Sequence, residues 1–143
     1  MSDFRILSES MLASPQITVA DVAAAKELGV TLIVNNRPDG EDPHAPQGDE
    51  IAAAAKEAGI DYVAVPVSHA GFSLPQVDAM AQALENAQGK VLAYCRSGTR
   101  STLLWAMARA KAGDSPDDIA AAAEAAGYSV AAVRPTIDML AAG

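Results

Sequence analysis

One short segment of the sequence combines the only cysteine of the chain with a glycine and two arginines. It reads Cys95-Arg96-Ser97-Gly98-Thr99-Arg100-Ser101. An apolar run at residues 91–94 precedes the cysteine, and a helical pattern begins at Ser101. In a loop between a strand and a helix, successive backbone N–H groups and the helix N-terminus attract an anion. The segment therefore predicts an anion-binding loop with a cysteine at its base.

The chemistry expected of this loop is attack by a thiolate on a bound anion. The positive potential of the loop stabilises the thiolate of Cys95, which is the nucleophilic form of this side chain. Arg100 can offer two parallel N–H donors to an oxyanion. We therefore predict that Cys95 accepts a phosphoryl group or a sulfane sulfur, while Arg100 holds the anion.

The other residues of the loop are predicted to bind the substrate. They are Arg96, Ser97, Gly98, Thr99 and Ser101. The Arg96 side chain is expected to face solvent and to select substrate. The Ser101 hydroxyl can donate a hydrogen bond to the Cys95 thiolate, or it can cap the first turn of the helix. The structural alternative for the segment is that Cys95 is only a small buried hydrophobic residue.

Alternating strand and helix patterns are predicted to position this loop. Strands are expected at residues 4–7, 30–34, 60–67 and 91–94, and helices at 19–28, 49–58, 73–87, 101–112 and 115–127. A last helix follows, in which Pro135 is a candidate break. Buried strands that alternate with helices indicate an α/β fold, with a short, mostly parallel sheet flanked by helices on both faces. Ligands of such sheets bind beyond the carboxyl ends of the strands. We therefore expect the loops at 35–40, 68–72 and 95–100 to converge.

The composition narrows the possible classes of function. The chain has 143 residues, which favours a single domain over residues 1–143. Its formal net charge of −8 argues against nucleic acid or an anionic membrane as a partner. The lack of a long apolar run or an apolar leader predicts a cytoplasmic protein. One cysteine and two histidines argue against a metal site, and the chemistry predicted for Cys95 implies no organic cofactor.

Three segments resemble a known bacterial family. They are Gln-Ile-Thr at 16–18, Val-Asn-Asn-Arg-Pro-Asp-Gly-Glu at 34–41, and the loop at 95–101. They are similar to the bacterial phosphatase-like family, whose members also occur fused to β-lactamase-like hydrolases. The resemblance covers residues 4–112. It implies the fold of cysteine-dependent protein tyrosine and dual-specificity phosphatases, although fold analogy alone does not determine function.

Two departures from the phosphatase pattern concern the catalytic groups. Phosphatases of this fold have five residues between the nucleophilic cysteine and the arginine, whereas this chain has four. They also carry an aspartate general acid in the loop that corresponds to residues 66–73, and this loop has no carboxylate. The candidates for the acid are His69 in that loop and Asp39 in an adjacent one. The alternatives are a surface histidine and an ordinary turn residue before Gly40.

Three functions follow from these features. The first is a phosphatase that acts on a phosphotyrosine-containing protein or a small aryl phosphate. In this function Arg37 either steers the anionic substrate or forms an ion pair with Asp39 or Glu41. The second is a sulfurtransferase that takes sulfur from thiosulfate or a persulfide, because the heptapeptide also resembles the active loop of rhodanese-type enzymes. The third is an anion-binding or redox-sensing module without turnover, against which the absence of a second, resolving cysteine argues.

Overall fold

Helices and strands alternate along most of the chain. The computed structural model describes residues 2–68 and 70–143. Within those ranges the elements are β1 Arg5–Ser8, β2 Met11–Ser14, α1 Val19–Glu27, β3 Val30–Asn35, α2 Gly48–Ala58, β4 Asp61–Ala64, α3 Leu74–Asn86, β5 Lys90–Tyr94, α4 Thr99–Lys111, α5 Pro116–Ala125, a 3-10 turn Ala131–Val133 and α6 Arg134–Ala142. None of these helices is long and apolar enough to span a membrane.

The strands form one sheet in the order β1-β2-β5-β3-β4. Strand β1 is antiparallel to β2, and the other neighbouring strands are parallel. The sequence prediction of a short, mostly parallel sheet flanked by helices is confirmed. Strand β5 lies at the centre, with Leu92 opposite Leu12 of β2 and Ile33 of β3. Its carboxyl end therefore leads into the middle of the loops at one edge of the sheet.

Two strand predictions are corrected by the structure. The sequence does not predict strand β2, because Met11–Ser14 is only four residues long and contains no β-branched or aromatic residue. The predicted strand at 60–67 is regular only over Asp61–Ala64. Beyond it the backbone N–H groups of Val65 and Val67 still donate to the carbonyls of Asn35 and Asn36. The chain thus stays extended beside β3 while it approaches the site.

The core lies on both faces of the sheet. One apolar cluster joins the sheet to α3, α4, α5 and α6, and it includes Met80, Leu104 and Ile137. The other joins the sheet to α1 and α2 through Val22 and Ile51. Helix α4 is buried almost all round, since most of its residues from Ser101 to Ala110 are shielded from solvent. The helix that follows the cysteine loop is therefore held rigidly by the core.

Several predicted helix boundaries are confirmed. Thr18 caps α1 and forms a capping box with Asp21, and Ser73 caps α3 with Pro75 in its first turn. Pro135 does not break the last helix, because it lies in the first turn of α6, where a missing N–H costs nothing.

Candidate active site

Cys95 lies between the end of β5 and the beginning of α4. Its side chain is fully buried, and its sulfur accepts a hydrogen bond from the backbone N–H of Gly98 at 3.1 Å. The Cys95 N–H donates to the carbonyl of Ser14 at 3.3 Å, which continues the pairing of β5 with β2. The loop therefore turns a backbone donor back toward the cysteine, as an anion-binding loop requires.

Gly98 occupies a position that only glycine fits. Its φ of +92° lies in the left-handed region, where a side chain is strained. A Cβ built there would overlap the Tyr128 hydroxyl oxygen. The Gly98 carbonyl in turn accepts hydrogen bonds from the N–H and Oγ1 of Thr102, at 3.0 and 2.9 Å. The loop is thus joined tightly to the N-terminus of α4.

Arg100 is held by a carboxylate of a distant loop. Its Nη1 donates to Oε2 of Glu41 at 2.7 Å, and its Nη2 donates to Oε1 at 2.9 Å. Nη1 also donates to the carbonyl of Val67 at 2.6 Å. The Glu41 hydrogen bond is the largest cause of the raised pKa of Arg100, and Cys95 contributes to it as well. The two-donor geometry expected for an oxyanion is present, with a carboxylate occupying it.

Arg37 shares the same carboxylate. Its Nε donates to Oε1 of Glu41 at 2.9 Å, and its Nη1 donates to the side-chain oxygen of Gln16 at 3.0 Å. Of the two predicted partners of Arg37, the structure shows Glu41. The hydrogen bonds from Arg100 and Arg37 lower the pKa of Glu41 to about 2, although its burial opposes the shift. Glu41 is therefore ionised at neutral pH between two cations.

Buried asparagines join the strand ends around the site. The Asn36 N–H donates to the carbonyl of Tyr94 at 2.8 Å, and its Nδ2 donates to the carbonyl of Val65 at 2.9 Å. The Asn35 side chain accepts a hydrogen bond from the N–H of Arg37 at 2.9 Å. These bonds connect the ends of β3, β5 and the chain beyond β4. The predicted convergence of the loop at 35–40 with the cysteine loop is confirmed.

Of the two candidates for a general acid, Asp39 and His69, the structure describes only Asp39. The Asp39 carboxylate accepts a hydrogen bond from the N–H of Gly48 at 2.8 Å, and this contact places it at the beginning of α2. Its role as an acid stays a prediction. His69 lies outside the residues that the structure describes, so its role also stays a prediction.

The other loop residues fall into an exposed group and a buried group. Arg96, Ser97 and Thr99 are exposed, as predicted for Arg96. The Ser97 hydroxyl donates to Oγ1 of Thr99 at 2.9 Å and accepts from the Thr99 N–H at 3.3 Å. The buried Ser101 hydroxyl has no hydrogen-bond partner in the described part of the chain. Neither of its two predicted hydrogen bonds is formed, so it is an unused donor.

Sequence reasoning missed two contacts of this loop, since it named Glu41 only as a possible partner of Arg37 and did not name Tyr128. Glu41 lies 59 residues before Arg100, and no local pattern in the sequence indicates that these two side chains meet. Tyr128 lies 31 residues after Ser97, and its hydroxyl donates to the Ser97 carbonyl at 3.0 Å. Nothing in the sequence pattern pointed to Tyr128. Among the described residues, no group of three histidine, cysteine, aspartate or glutamate side chains is arranged to hold a metal ion.

Comparison with known proteins agrees with this geometry. The family model of the phosphatase-like domain of the beta-lactamase hydrolase-like protein matches residues 3–112. The chain belongs to this family. A beta-lactamase hydrolase-like protein of Xylella fastidiosa is 35% identical over 101 residues, which are 71% of this chain and 23% of that protein. The phosphatase-like domain thus spans about a quarter of the curated relatives that it matches.

Solved structures of other proteins are similar to nearly the whole length of this chain. A candidate phosphatase of Neisseria meningitidis is 34% identical, with a TM-score of 0.84 over 98% of this chain and 99% of that one. PTPMT1, solved in complex with PI(5)P, shares the fold at 14% identity, with a TM-score of 0.73 over 97% of each chain. This chain is therefore phosphatase-like and has the fold of the protein tyrosine phosphatases.

Proposed function

We propose that this chain is a cysteine-dependent phosphatase, acting within one domain, that hydrolyses aryl phosphomonoesters through a phosphocysteine. The observation that carries the proposal is the hydrogen bond from the Gly98 N–H to the sulfur of Cys95 at the N-terminus of α4. A donor aimed at the sulfur stabilises the thiolate, and the helix terminus attracts the phosphate dianion to the same place. Nucleophile and substrate are thereby brought together.

The reaction proceeds in two displacements at phosphorus. The Cys95 thiolate attacks the phosphorus in line, so that the S–P bond forms and the bond to the aryl oxygen breaks. The aryl oxygen takes its proton from an acid or from water, and His69 and Asp39 are the proposed acids. Water then attacks the phosphocysteine, which releases inorganic phosphate and restores the thiolate. No metal or organic cofactor takes part in the proposed steps.

Arg100 is proposed to exchange one anion for another during this cycle. In the free protein its two outer nitrogens are bound to the Glu41 carboxylate. A phosphoryl group at the loop offers oxygens for the same planar donors. The unused Ser101 hydroxyl and the exposed Arg96, together with the N–H groups of Ser97, Gly98 and Thr99, are proposed to bind its remaining oxygens. Arg37 is proposed to hold Glu41 while Arg100 turns.

Small aryl phosphates and phosphotyrosine-containing proteins are the proposed substrates. Phenolates leave more readily than alkoxides, so an aryl ester depends less on a strong general acid. The sequence supports this choice, because the loop at 66–73 contributes no carboxylate that could act as a strong general acid. Alkyl phosphates are expected to react more slowly.

A second candidate function is sulfur transfer. The spacing of four residues between Cys95 and Arg100 favours it, because it matches the rhodanese-type loop more closely than the phosphatase loop. Cys95 would attack the sulfane sulfur of thiosulfate, with cleavage of the S–S bond and loss of sulfite. The resulting persulfide would pass its outer sulfur to cyanide as thiocyanate, or to a thiol.

Turnover by wild type and Cys95→Ser tests both candidates. An aryl phosphate, an alkyl phosphate and the thiosulfate–cyanide pair are assayed on the same samples. We expect aryl phosphate hydrolysis that exceeds alkyl phosphate hydrolysis and is lost in Cys95→Ser. Thiocyanate formation that depends on Cys95, without phosphate release, would replace the phosphatase by the sulfurtransferase. If no assay shows turnover, both candidate functions are wrong, and a binding or sensing module is favoured.

A further inference from the structure

Tyr128 reaches the cysteine loop from a part of the chain outside the matched family region. The family model ends at residue 112, and Tyr128 follows α5 in the C-terminal part of the chain. Its ring belongs to the core cluster around α4 and is 8% exposed. Its hydroxyl donates to the carbonyl of Ser97 at 3.0 Å. The C-terminal segment therefore contacts the loop at one defined backbone atom.

The contacted carbonyl belongs to the same peptide unit as the donor to the cysteine. The Ser97–Gly98 peptide is trans, so its C=O and N–H point in opposite directions. The carbonyl oxygen is bound to Tyr128 on one side, and the N–H is bound to the Cys95 sulfur on the other. Fixing the carbonyl toward the tyrosine consequently fixes the N–H toward the sulfur.

The opposite orientation of this peptide would disable the loop. Gly98 has no Cβ, so the backbone at this position can rotate between orientations that are closed to other residues. Rotation of the peptide by half a turn would direct the Ser97 carbonyl toward the sulfur. An oxygen that carries partial negative charge repels both the thiolate and a bound anion. The hydrogen bond from the Tyr128 hydroxyl favours the observed orientation, in which the Gly98 N–H faces the Cys95 sulfur.

Arg5 holds the Tyr128 ring in place, and burial keeps the Tyr128 hydroxyl protonated. The guanidinium of Arg5 in β1 lies over the ring, 5.2 Å from its centroid. Arg5 also donates to the carbonyl of Ala126 at 3.4 Å, which ties the turn before Tyr128 to the sheet. Burial raises the pKa of Tyr128, although Arg5 opposes this shift. The hydroxyl is therefore a donor at neutral pH.

We propose that Tyr128 is a positioning residue, which holds the Ser97–Gly98 peptide with its N–H toward Cys95 and so keeps the anion-binding loop competent. The proposal deepens the function proposed above and rests on it for its kinetic consequence. The binding consequence follows from the loop geometry alone.

Tyr128→Phe tests the proposal, because it removes the hydroxyl and keeps the ring in the core. Ser129→Ala is the matched control, since it removes a hydroxyl from the next residue, whose oxygen accepts from the local N–H of Ala131. The probe is inorganic phosphate, and its affinity is measured by calorimetry. From the usual net contribution of one hydrogen bond, Tyr128→Phe is expected to weaken binding by about 2- to 10-fold.

Two further measurements distinguish positioning from general destabilisation. The rate of Cys95 alkylation is followed against pH, and its midpoint is expected to move to higher pH in Tyr128→Phe, because the N–H that stabilises the thiolate is no longer fixed. The Gly98 amide proton resonance is expected to shift in the same variant. Neither quantity should move in Ser129→Ala. Both are recorded below the unfolding midpoint of each variant, at reduced temperature if Tyr128→Phe unfolds early.

The outcomes separate this proposal from the proposed function. If Tyr128→Phe retains the phosphate affinity, the alkylation profile and the Gly98 resonance of wild type, the positioning role is wrong. If wild type fails to hydrolyse an aryl phosphate, the proposed function is wrong, while phosphate affinity and alkylation still decide the role of Tyr128. In an active wild type, kcat is expected to fall in Tyr128→Phe, together with the weaker phosphate binding.

Discussion

At the scale of single residues, Glu41 is the link between the two arginines of the site. Its carboxylate accepts from both outer nitrogens of Arg100 and from Nε of Arg37. Only 19% of its side chain is exposed, so these ion pairs are partly shielded from solvent and salt. The cost of burying one carboxylate is offset by three charge-assisted hydrogen bonds. Glu41 therefore stabilises the fold as well as occupying the anion position of Arg100.

Glu41→Gln is expected to destabilise the protein in a pH-dependent way. The folded pKa of Glu41 is about 2, below its ordinary value of 4.5. Its contribution to stability is therefore complete above pH 4.5 and is lost as the pH falls toward 2. At pH 7 the shift corresponds to roughly 2–3 kcal/mol in the free energy of unfolding, allowing for partial screening. The difference between wild type and Glu41→Gln should shrink as the pH falls through this window.

Urea unfolding at pH 7, 4.5 and 3 measures this difference. Glu57→Gln is the control, because Glu57 is exposed on α2, and its difference from wild type should stay small at every pH. A Glu41→Gln penalty that is the same at pH 7 and pH 3 would show that the carboxylate charge does not contribute as described.

At the scale of elements, the junction of β5, the cysteine loop and α4 is the decisive arrangement. Strand β5 is paired on both sides, and α4 is buried nearly all round. The few residues between them must therefore reverse the chain within a space that both elements define. Gly98 makes this turn possible, because its backbone is left-handed and it packs closely against Tyr128.

Gly98→Ala is expected to be more damaging than its backbone conformation alone explains. A left-handed alanine costs on the order of 1–3 kcal/mol, and here the added Cβ would also overlap the Tyr128 hydroxyl. Gly113→Ala is the matched control, because Gly113 has a φ of +106° and a Cβ added there would have no atom within 4 Å. Thermal unfolding and phosphate binding are measured for both variants. We expect Gly113→Ala to lose thermal stability only, whereas Gly98→Ala should lose thermal stability and phosphate affinity. Equal losses would contradict the contact with Tyr128.

At the scale of the whole molecule, the C-terminal helices pack against α4, the helix that follows the cysteine loop. Helices α5 and α6 lie beyond the matched residues 3–112, yet the C-terminal part of the chain supplies Ile119, Tyr128 and Ile137 to the core cluster around α4. The formal net charge of −8 disfavours association with large polyanions.

Ile137→Ala measures how much the C-terminal helix contributes. Ile137 is fully buried, and truncation of such a residue typically costs about 2–5 kcal/mol. Met139→Ala is the control on the same helix, because Met139 is 62% exposed. We expect urea unfolding to show a large loss for Ile137→Ala and a change of less than about 0.5 kcal/mol for Met139→Ala. A stable Ile137→Ala variant would mean that α6 is dispensable for the fold.

Most of the elements and the centre of the site could be predicted from the sequence. The capping residues Thr18 and Ser73 and the apolar runs that became β3 and β5 are local signals, since each depends on a few neighbouring residues. The cysteine loop is local as well. Strand β2 could not be predicted, because Met, Leu, Ala and Ser carry no preference for a strand and four residues are too few for a pattern. Its existence depends on pairing with β5, which lies about 80 residues away.

The sequence alone determined the nucleophile candidate, its arginine and the α/β class, because these depend on residue types and on spacing along a few turns of chain. Only the tertiary structure decided what surrounds them. Glu41 reaches Arg100 across 59 residues, and Tyr128 reaches Ser97 across 31. Such contacts form because the sheet brings the carboxyl ends of its strands together and α4 carries the C-terminal segment beside the loop. No local pattern encodes the distance between two side chains that meet only after folding.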